Sequence, residues 1–457
     1  MEQNLDALIE AQQAYFLSGA TRSYEFRVQQ LRRLRDAVQR YEPEIMTALK
    51  EDLGKPDLEA YAGEVGFVYA ELRHVLKELK TWMRPKRVPT PLTLQPSSSF
   101  VISEPLGRVL IISPWNYPFQ LLIAPLIGAL AAGNCAVLKP SELAPYTAQV
   151  VERLIGDVFP REYVAVVQGG VEVAQALLAR KWDHIFFTGS TSVGRIVARA
   201  AAEHLTPVTL ELGGKSPCIV DRETDLDVTA RRIAWGKFFN AGQTCVAPDY
   251  LLVDASIKEP LLERLVRQIG EFFGPDPAQS EDYARIISVR HFDRLVGLME
   301  DGRLVTGGQH DRTSRYIAPT IIDEPPLSSP VMQEEIFGPI LPVLTYRTLD
   351  EAIHIVRQFP KPLALYLFSN SEATQQRILS ELSFGGGCIN NTLMHLSNPY
   401  LPFGGVGASG MGAYHGKYSF ETFSHRKSIV RSTQAIDPKV VYQPYKGKLK
   451  LVRLLLK

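Results

Sequence analysis

Apolar and polar positions follow two rhythms along this chain. Up to about residue 85 the spacing is helical, and 24–41 sets apolar and aromatic positions among many Arg and Gln, an amphipathic pattern. The stretch 85–99 breaks it: 88–94 and 97–102 read as two extended arms around a polar turn, a projecting hairpin. From Gly107 short apolar runs at 109–112, 135–138, 164–167, 184–187 and 208–210 alternate with helical stretches. That alternation predicts a parallel sheet with helices on both faces. A second alternating region, about 216–400, offers strands at 218–220, 251–253, 341–344 and 363–368 and helices near 256–273 and 349–358. The stretch 398–416 is Gly- and Pro-rich loop, and 427–431 reads as a final strand. Ligands bind such α/β sheets at the C-terminal strand ends, and the chemically informative residues fall there.

With 457 residues, the chain calls for two or three domains. The formal net charge of +1 leaves no strong field to draw nucleic acid. Cysteines at 135, 218, 245 and 388 have neither disulfide-framework nor Cys-x-x-Cys metal spacing, and the nine histidines show no metal spacing. A reducing, cytoplasmic setting is expected. The first residues carry two acids and no apolar core, unlike a secretory signal. No apolar run reaches the roughly 20 residues needed to span a bilayer. The stretch 446–457 mixes bases with leucines; it suits either peripheral contact with an anionic membrane or a helix packed on the body or a partner.

Cys245 closes the run Phe239-Asn240-Ala241-Gly242-Gln243-Thr244-Cys245, downstream of Glu211-Leu212-Gly213-Gly214-Lys215. The pairing suggests a thiol nucleophile with a carboxylate that activates water. Alone, Cys245 reads equally as an inert buried thiol, because at an unperturbed pKa only about 3% is thiolate at pH 7. Gly189-Ser190-Thr191-Ser192-Val193-Gly194 follows a strand and opens a helix, a place for phosphate or simply a turn. Lys139 and Glu142 follow another strand; they suit ribose hydroxyls or a helix start. Asn116, between prolines 114 and 118, offers an amide to an oxyanion or to its own turn. Gly405-Val406-Gly407-Ala408-Ser409-Gly410 matches a dinucleotide fingerprint formally, but no buried strand precedes it and no good helix follows. Gly214-Lys215-Ser216 lacks the glycine a phosphate loop needs, since Thr209 stands there.

In order along the chain, Pro114-Trp115-Asn116-Tyr117-Pro118, Lys139-Pro140-Ser141-Glu142, Phe187-Thr188-Gly189-Ser190, Glu211-Leu212-Gly213-Gly214-Lys215, Gly242-Gln243-Thr244-Cys245, Glu334-Glu335-Ile336-Phe337-Gly338-Pro339 and Pro402-Phe403-Gly404-Gly405 resemble the aldehyde dehydrogenase superfamily over nearly the whole length. Cys245-Val246-Ala247-Pro248-Asp249-Tyr250 and His415-Gly416-Lys417-Tyr418-Ser419-Phe420 look like its class 3, fatty or aromatic aldehyde branch. The resemblance implies an α/β fold: a Rossmann-like cofactor domain (1–85 and 107–210), an α/β catalytic domain (211–400), a bridging hairpin and oligomerisation segment (86–106 and 401–435), and a tail (436–457). It implies NAD(P)-dependent oxidation of an aldehyde, medium- or long-chain aliphatic or aromatic, to the acid. Cys245 would attack the carbonyl carbon and Asn116 with the Cys245 amide would hold the oxyanion. Hydride would pass to the nicotinamide, and Glu211 would activate water against the thioester. Lys139, Glu142, Gly189, Ser190, Thr191, Ser192, Val193, Gly194, Leu212, Glu335 and Phe337 would bind NAD or NADP, with Glu142 disfavouring a 2′-phosphate. Tyr61, Tyr117 and Phe403 would line an apolar tunnel, core packing being an equal reading. A homodimer is implied, and no metal. The competing readings are a non-redox thiol hydrolase or acyltransferase and a non-catalytic structural member of the fold.

Overall fold

The computed structural model describes residues 2–437 and 439–456, so the expected tail 436–457 is described apart from Pro438 and Lys457. Two large sheets carry the architecture. The first runs Gly410–Met411, Val208–Glu211, His184–Thr188, Arg108–Ile112, Cys135–Lys139, Val164–Val166, all parallel except the short Gly410–Met411. The chain enters at the central strand Arg108–Ile112, winds outward one way, then returns to continue on its other side. The order therefore reverses between Arg108–Ile112 and His184–Thr188, and the loops after these two strands open a crevice. Apolar runs without alternation form these strands because helices cover both faces; Val109, Leu110, Ile111, Cys135, Ala136 and Val137 are fully buried. Helix Gln120–Ala132 has every residue buried, with mean character too apolar for a surface helix.

The second sheet runs Arg303–Thr306, Thr320–Asp323, Ile340–Tyr346, Tyr250–Asp254, Pro217–Val220, Ala364–Phe368, Gly386–Ile389, parallel apart from the edge strand Arg303–Thr306. The expected strands at 218–220, 251–253, 341–344 and 363–368 all lie in it, and the expected helices appear as Lys258–Phe273 and Leu349–Arg357.

The third sheet is antiparallel: Lys86–Val88, Ser98–Pro105 and Ser424–Arg431. The expected hairpin is shorter in its first arm. Pro89 and Pro91 cannot donate to a ladder, so pairing stops at Val88 and Leu92–Leu94 forms a 3-10 turn instead. Of the segment 401–435, only Ser424–Arg431 joins this sheet. Gly410–Met411 extends the first sheet, and helix Gly416–Thr422 packs on Gln120–Ala132. The tail forms a short helix, Leu449–Leu456. Among the described residues none beyond Phe423 belongs to the buried clusters, and no helix is long and apolar enough to cross a membrane.

Candidate active site

Helix Leu226–Phe238 ends in a tight loop before Cys245. Asn240 and Ala241 hold φ of 53° and 50°, and Gly242 follows at 73°. Non-glycine residues adopt this left-handed region only where the surroundings compel it. Here the compulsion is a buried amide network. Gln243 Nε2 donates to the Asn240 carbonyl (3.1 Å) and the Arg285 carbonyl (3.0 Å), and its Oε1 accepts the Ile287 N–H. Asn240 Nδ2 donates to the Gln243 carbonyl (3.1 Å). A Cβ at Gly242 would lie 2.2 Å from the Gly338 carbonyl oxygen, so only glycine fits there.

Cys245 lines two cavities. One, about 690 Å³, lies at the crevice of the first sheet. Asn116, Gly189, Ser190, Thr191, Ser192, Leu212, Glu335 and Phe337 line it, as the sequence suggests. The other, about 340 Å³, is walled by apolar side chains including Phe67, Leu121, Trp235 and Phe239, together with Tyr117 and Phe403. Tyr61 is not in that wall. It stands 44% exposed in a separate groove, because residues Tyr61–Val65 form a π-turn that directs Ala62 and Gly63, rather than Tyr61, inward.

The Asn116 amide donates one hydrogen to the Gln243 carbonyl at 3.0 Å, which fixes the amide beside the Cys245 loop. Tyr117 Oη bonds Thr244 Oγ1 at 2.7 Å and ties the same two loops. Glu211, at the end of its strand, is 1% exposed, and neither carboxyl oxygen has a partner. Burial alone raises its pKa well above 4.5. Burial also pushes the Cys245 thiol up, helped by the Glu335 and Glu211 carboxylates.

Glu335 is raised to about 8, first by burial and then by Asp249. Its segment is anchored from below: the Lys215 ammonium pairs with Asp249 and donates to the Val331 and Glu334 carbonyls, while Asp249 accepts the Ile336 N–H at 2.9 Å. Phe337, at φ 53°, meets the Trp115 ring edge-on at 5.3 Å.

The larger cavity suits a dinucleotide. Ser190 caps the twelve-residue helix Thr191–Ala202, whose first amides face the cavity. A Cβ at Gly213 would fall 2.3 Å from Glu335 Oε1, so the backbone there is kept bare beneath the carboxylate. Arg195, Arg290 and Lys361 add cationic charge for an anionic ligand. Sequence reasoning missed these three, which come from separate segments and carry no local motif. Val193 is exposed on the first helical turn, and Gly194 is buried against Leu212. Lys139 and Glu142 pair with each other at 2.8 Å on the neighbouring strand end, outside the cavity wall. The Gly405–Gly410 glycines are no strand–turn–helix, yet Ala408 within them reaches the cavity and its carbonyl accepts from Thr191 Oγ1 at 3.0 Å.

Residues 1–429 match the aldehyde dehydrogenase family model. The chain belongs to the aldehyde dehydrogenase family. It is 52% identical over 446 residues to the 4,4'-diaponeurosporen-aldehyde dehydrogenase of Staphylococcus aureus, covering 97% of each chain. It is 51% identical over 425 residues to the dimeric NADP-preferring aldehyde dehydrogenase of Rattus norvegicus, covering 93% of this chain and 94% of that one. The structure of a substrate-bound state of Staphylococcus aureus AldH superposes with a TM-score of 0.98 at 51% identity, over 99% of both chains. The enzyme is thus an oxidoreductase of the class 3 branch that converts an aldehyde to its carboxylic acid with NAD or NADP.

Two predictions follow from this dehydrogenase site. Gly213→Ala displaces the flexible Glu335 carboxylate rather than backbone, so the KM for NAD(P) should rise with the melting temperature unmoved; an unchanged KM refutes the bare-backbone role. For Glu211, the folded state holds a proton that the unfolded chain releases above 4.5, so stability declines as pH rises from there through the folded value. Glu211→Gln removes that loss. Its melting temperature should gain on wild type progressively from pH 5 to pH 8; a pH-independent difference contradicts the assigned direction.

Proposed function

We propose that Cys245 is the nucleophile of this aldehyde dehydrogenase, and the observation that carries the reading is that its side chain lines both cavities. The apolar one would deliver the aldehyde and the other the cofactor. Cys245 Sγ bonds to the carbonyl carbon as the C=O π bond breaks onto oxygen and the thiol proton passes to water. The carbonyl oxygen gains negative charge, held by the second Asn116 amide hydrogen and the Cys245 backbone N–H. When bound, NAD(P) supplies the hydride acceptor. The acyl group then remains on Sγ as a thioester. Glu211, whose oxygens have no protein partner, takes a proton from water as the water attacks the thioester. The C–S bond breaks, and the acid and free thiol are restored.

Residues Gly189 to Ser192 and the first turn of their helix hold the pyrophosphate. Lys139 and Glu142 reach the adenosine ribose from the neighbouring strand end, Leu212 and Glu335 hold the nicotinamide side, and Phe337 stacks beside it. On this reading 1–85 with 107–210 binds the cofactor and 211–400 carries the chemistry. The exposed three-stranded sheet from 86–106 and 424–431 is offered to a second copy in a homodimer, in keeping with the dimeric rat relative. Four free cysteines suit a reducing cytoplasm. The walls of Phe67, Leu121, Trp235 and Phe239 favour medium- or long-chain aliphatic or aromatic aldehydes.

Cys245→Ala should abolish NADH formation while leaving cofactor binding measurable by fluorescence titration; turnover near wild type refutes the assignment. Across straight-chain aldehydes, kcat/KM should climb by up to about fourfold per methylene until the cavity is filled. A flat series would sink the apolar-tunnel reading.

A further inference from the structure

Three charged side chains between residues 55 and 65 turn inward. Lys55 follows the C-cap of helix Tyr24–Leu53, Glu59 lies in Asp57–Ala60, and Glu64 lies in the π-turn. Lys55 and Glu64 pair with both side chains fully buried. Taking two charges out of water costs several kcal/mol per ion, so such a pair is weak evidence for stability by itself. Its remaining bonds all go to the loop of Asn116. Lys55 Nζ donates to the Asn116 carbonyl at 2.9 Å and lies 4.1 Å from the Tyr117 ring centroid. Glu64 Oε2 accepts the N–H groups of Phe119 and Gln120 at 2.9 and 3.0 Å. Glu59 serves the other loop: its Oε2 accepts the N–H of left-handed Asn240 at 2.8 Å. Asn240 joins the two, since its Nδ2 donates to the Asn116 carbonyl at 3.0 Å as well as to Gln243.

We propose that Lys55, Glu59 and Glu64 form a positioning clamp that sets the Asn116 amide against the Cys245 loop. The proposal rests on the oxyanion role given to Asn116 and the nucleophile role given to Cys245. An amide stabilises a developing oxyanion only within about 2.7–3.1 Å of it, and a displacement near 1 Å costs on the order of 10²-fold in rate. None of the three clamp residues touches either reacting group; they act through the two loops.

The test uses the full-length enzyme with hexanal and each cofactor. Lys55→Met alone strands the Glu64 charge, so the double variant Lys55→Met/Glu64→Gln removes both charges together. It should melt and bind cofactor like wild type, keep KM within about threefold, and lose on the order of 10²-fold in kcat. Glu59→Leu, at a half-buried position, gives the same kcat-specific signature if the double variant does not fold. The triple variant with Asn116→Ala should be no more than about threefold slower than Asn116→Ala alone, because both changes act through one amide. A kcat within about threefold of wild type in either clamp variant, or losses that multiply in the triple, overturns the clamp while leaving the Asn116 assignment standing. If Asn116→Ala itself turns over like wild type, the oxyanion reading fails and the clamp falls with it.

Discussion

The left-handed backbone from Asn240 to Gly242 is the constraint on which the site depends. It brings the chain to Cys245, which lines both cavities. Each non-glycine residue in that region costs on the order of 1–3 kcal/mol. The cost is offset by amide bonds from Asn240 and Gln243, both fully buried, and by the Glu59 carboxylate. Strain beside Cys245 is thus supported by polar groups that are themselves expensive to bury unless satisfied.

Electrostatically the site is quiet. The Cys245 thiol and the Glu211 and Glu335 carboxyls are all raised, in each case chiefly by burial. Burial favours the neutral form of each, and the Glu335 and Glu211 carboxylates add to the shift at Cys245. The cationic side chains Arg195, Arg290 and Lys361 line the larger cavity.

Much of this was legible in the sequence because its determinants are local. Strand–turn–helix signals around Gly189 and the spacing of apolar runs locate the first sheet, with Glu211 at one of its strand ends, while Cys245 is marked by its own motif in the loop after helix Leu226–Phe238. What was not legible depends on distant parts of the chain. Lys55, Glu59 and Glu64 sit in a polar stretch that reads as solvated surface, and only the fold turns them inward. Tyr61, implied only by the resemblance, lies outside the apolar cavity because it opens a π-turn that no local sequence pattern announces. The first hairpin arm, expected over 88–94, pairs only at Lys86–Val88, because Pro89 and Pro91 end the ladder. The glycines at 405–410 were rightly denied a fingerprint, but nothing local reveals that Ala408 closes on a helix more than two hundred positions earlier.

The edge strand Gly410–Met411 bears on how the molecule comes into being. It pairs with Leu210 and Glu211, and the carbonyl of Ser409 accepts the N–H of Leu212. The sheet that begins near residue 108 is therefore finished by residues that leave the ribosome some three hundred positions later, after the whole second sheet. An unpaired strand edge beside Glu211 must persist while some two hundred further residues are made, and such edges are where nascent chains associate wrongly. The two sheets cannot mature in turn as separate units. The Glu211 carboxyl acquires its final surroundings only when the last tenth or so of the polypeptide has arrived.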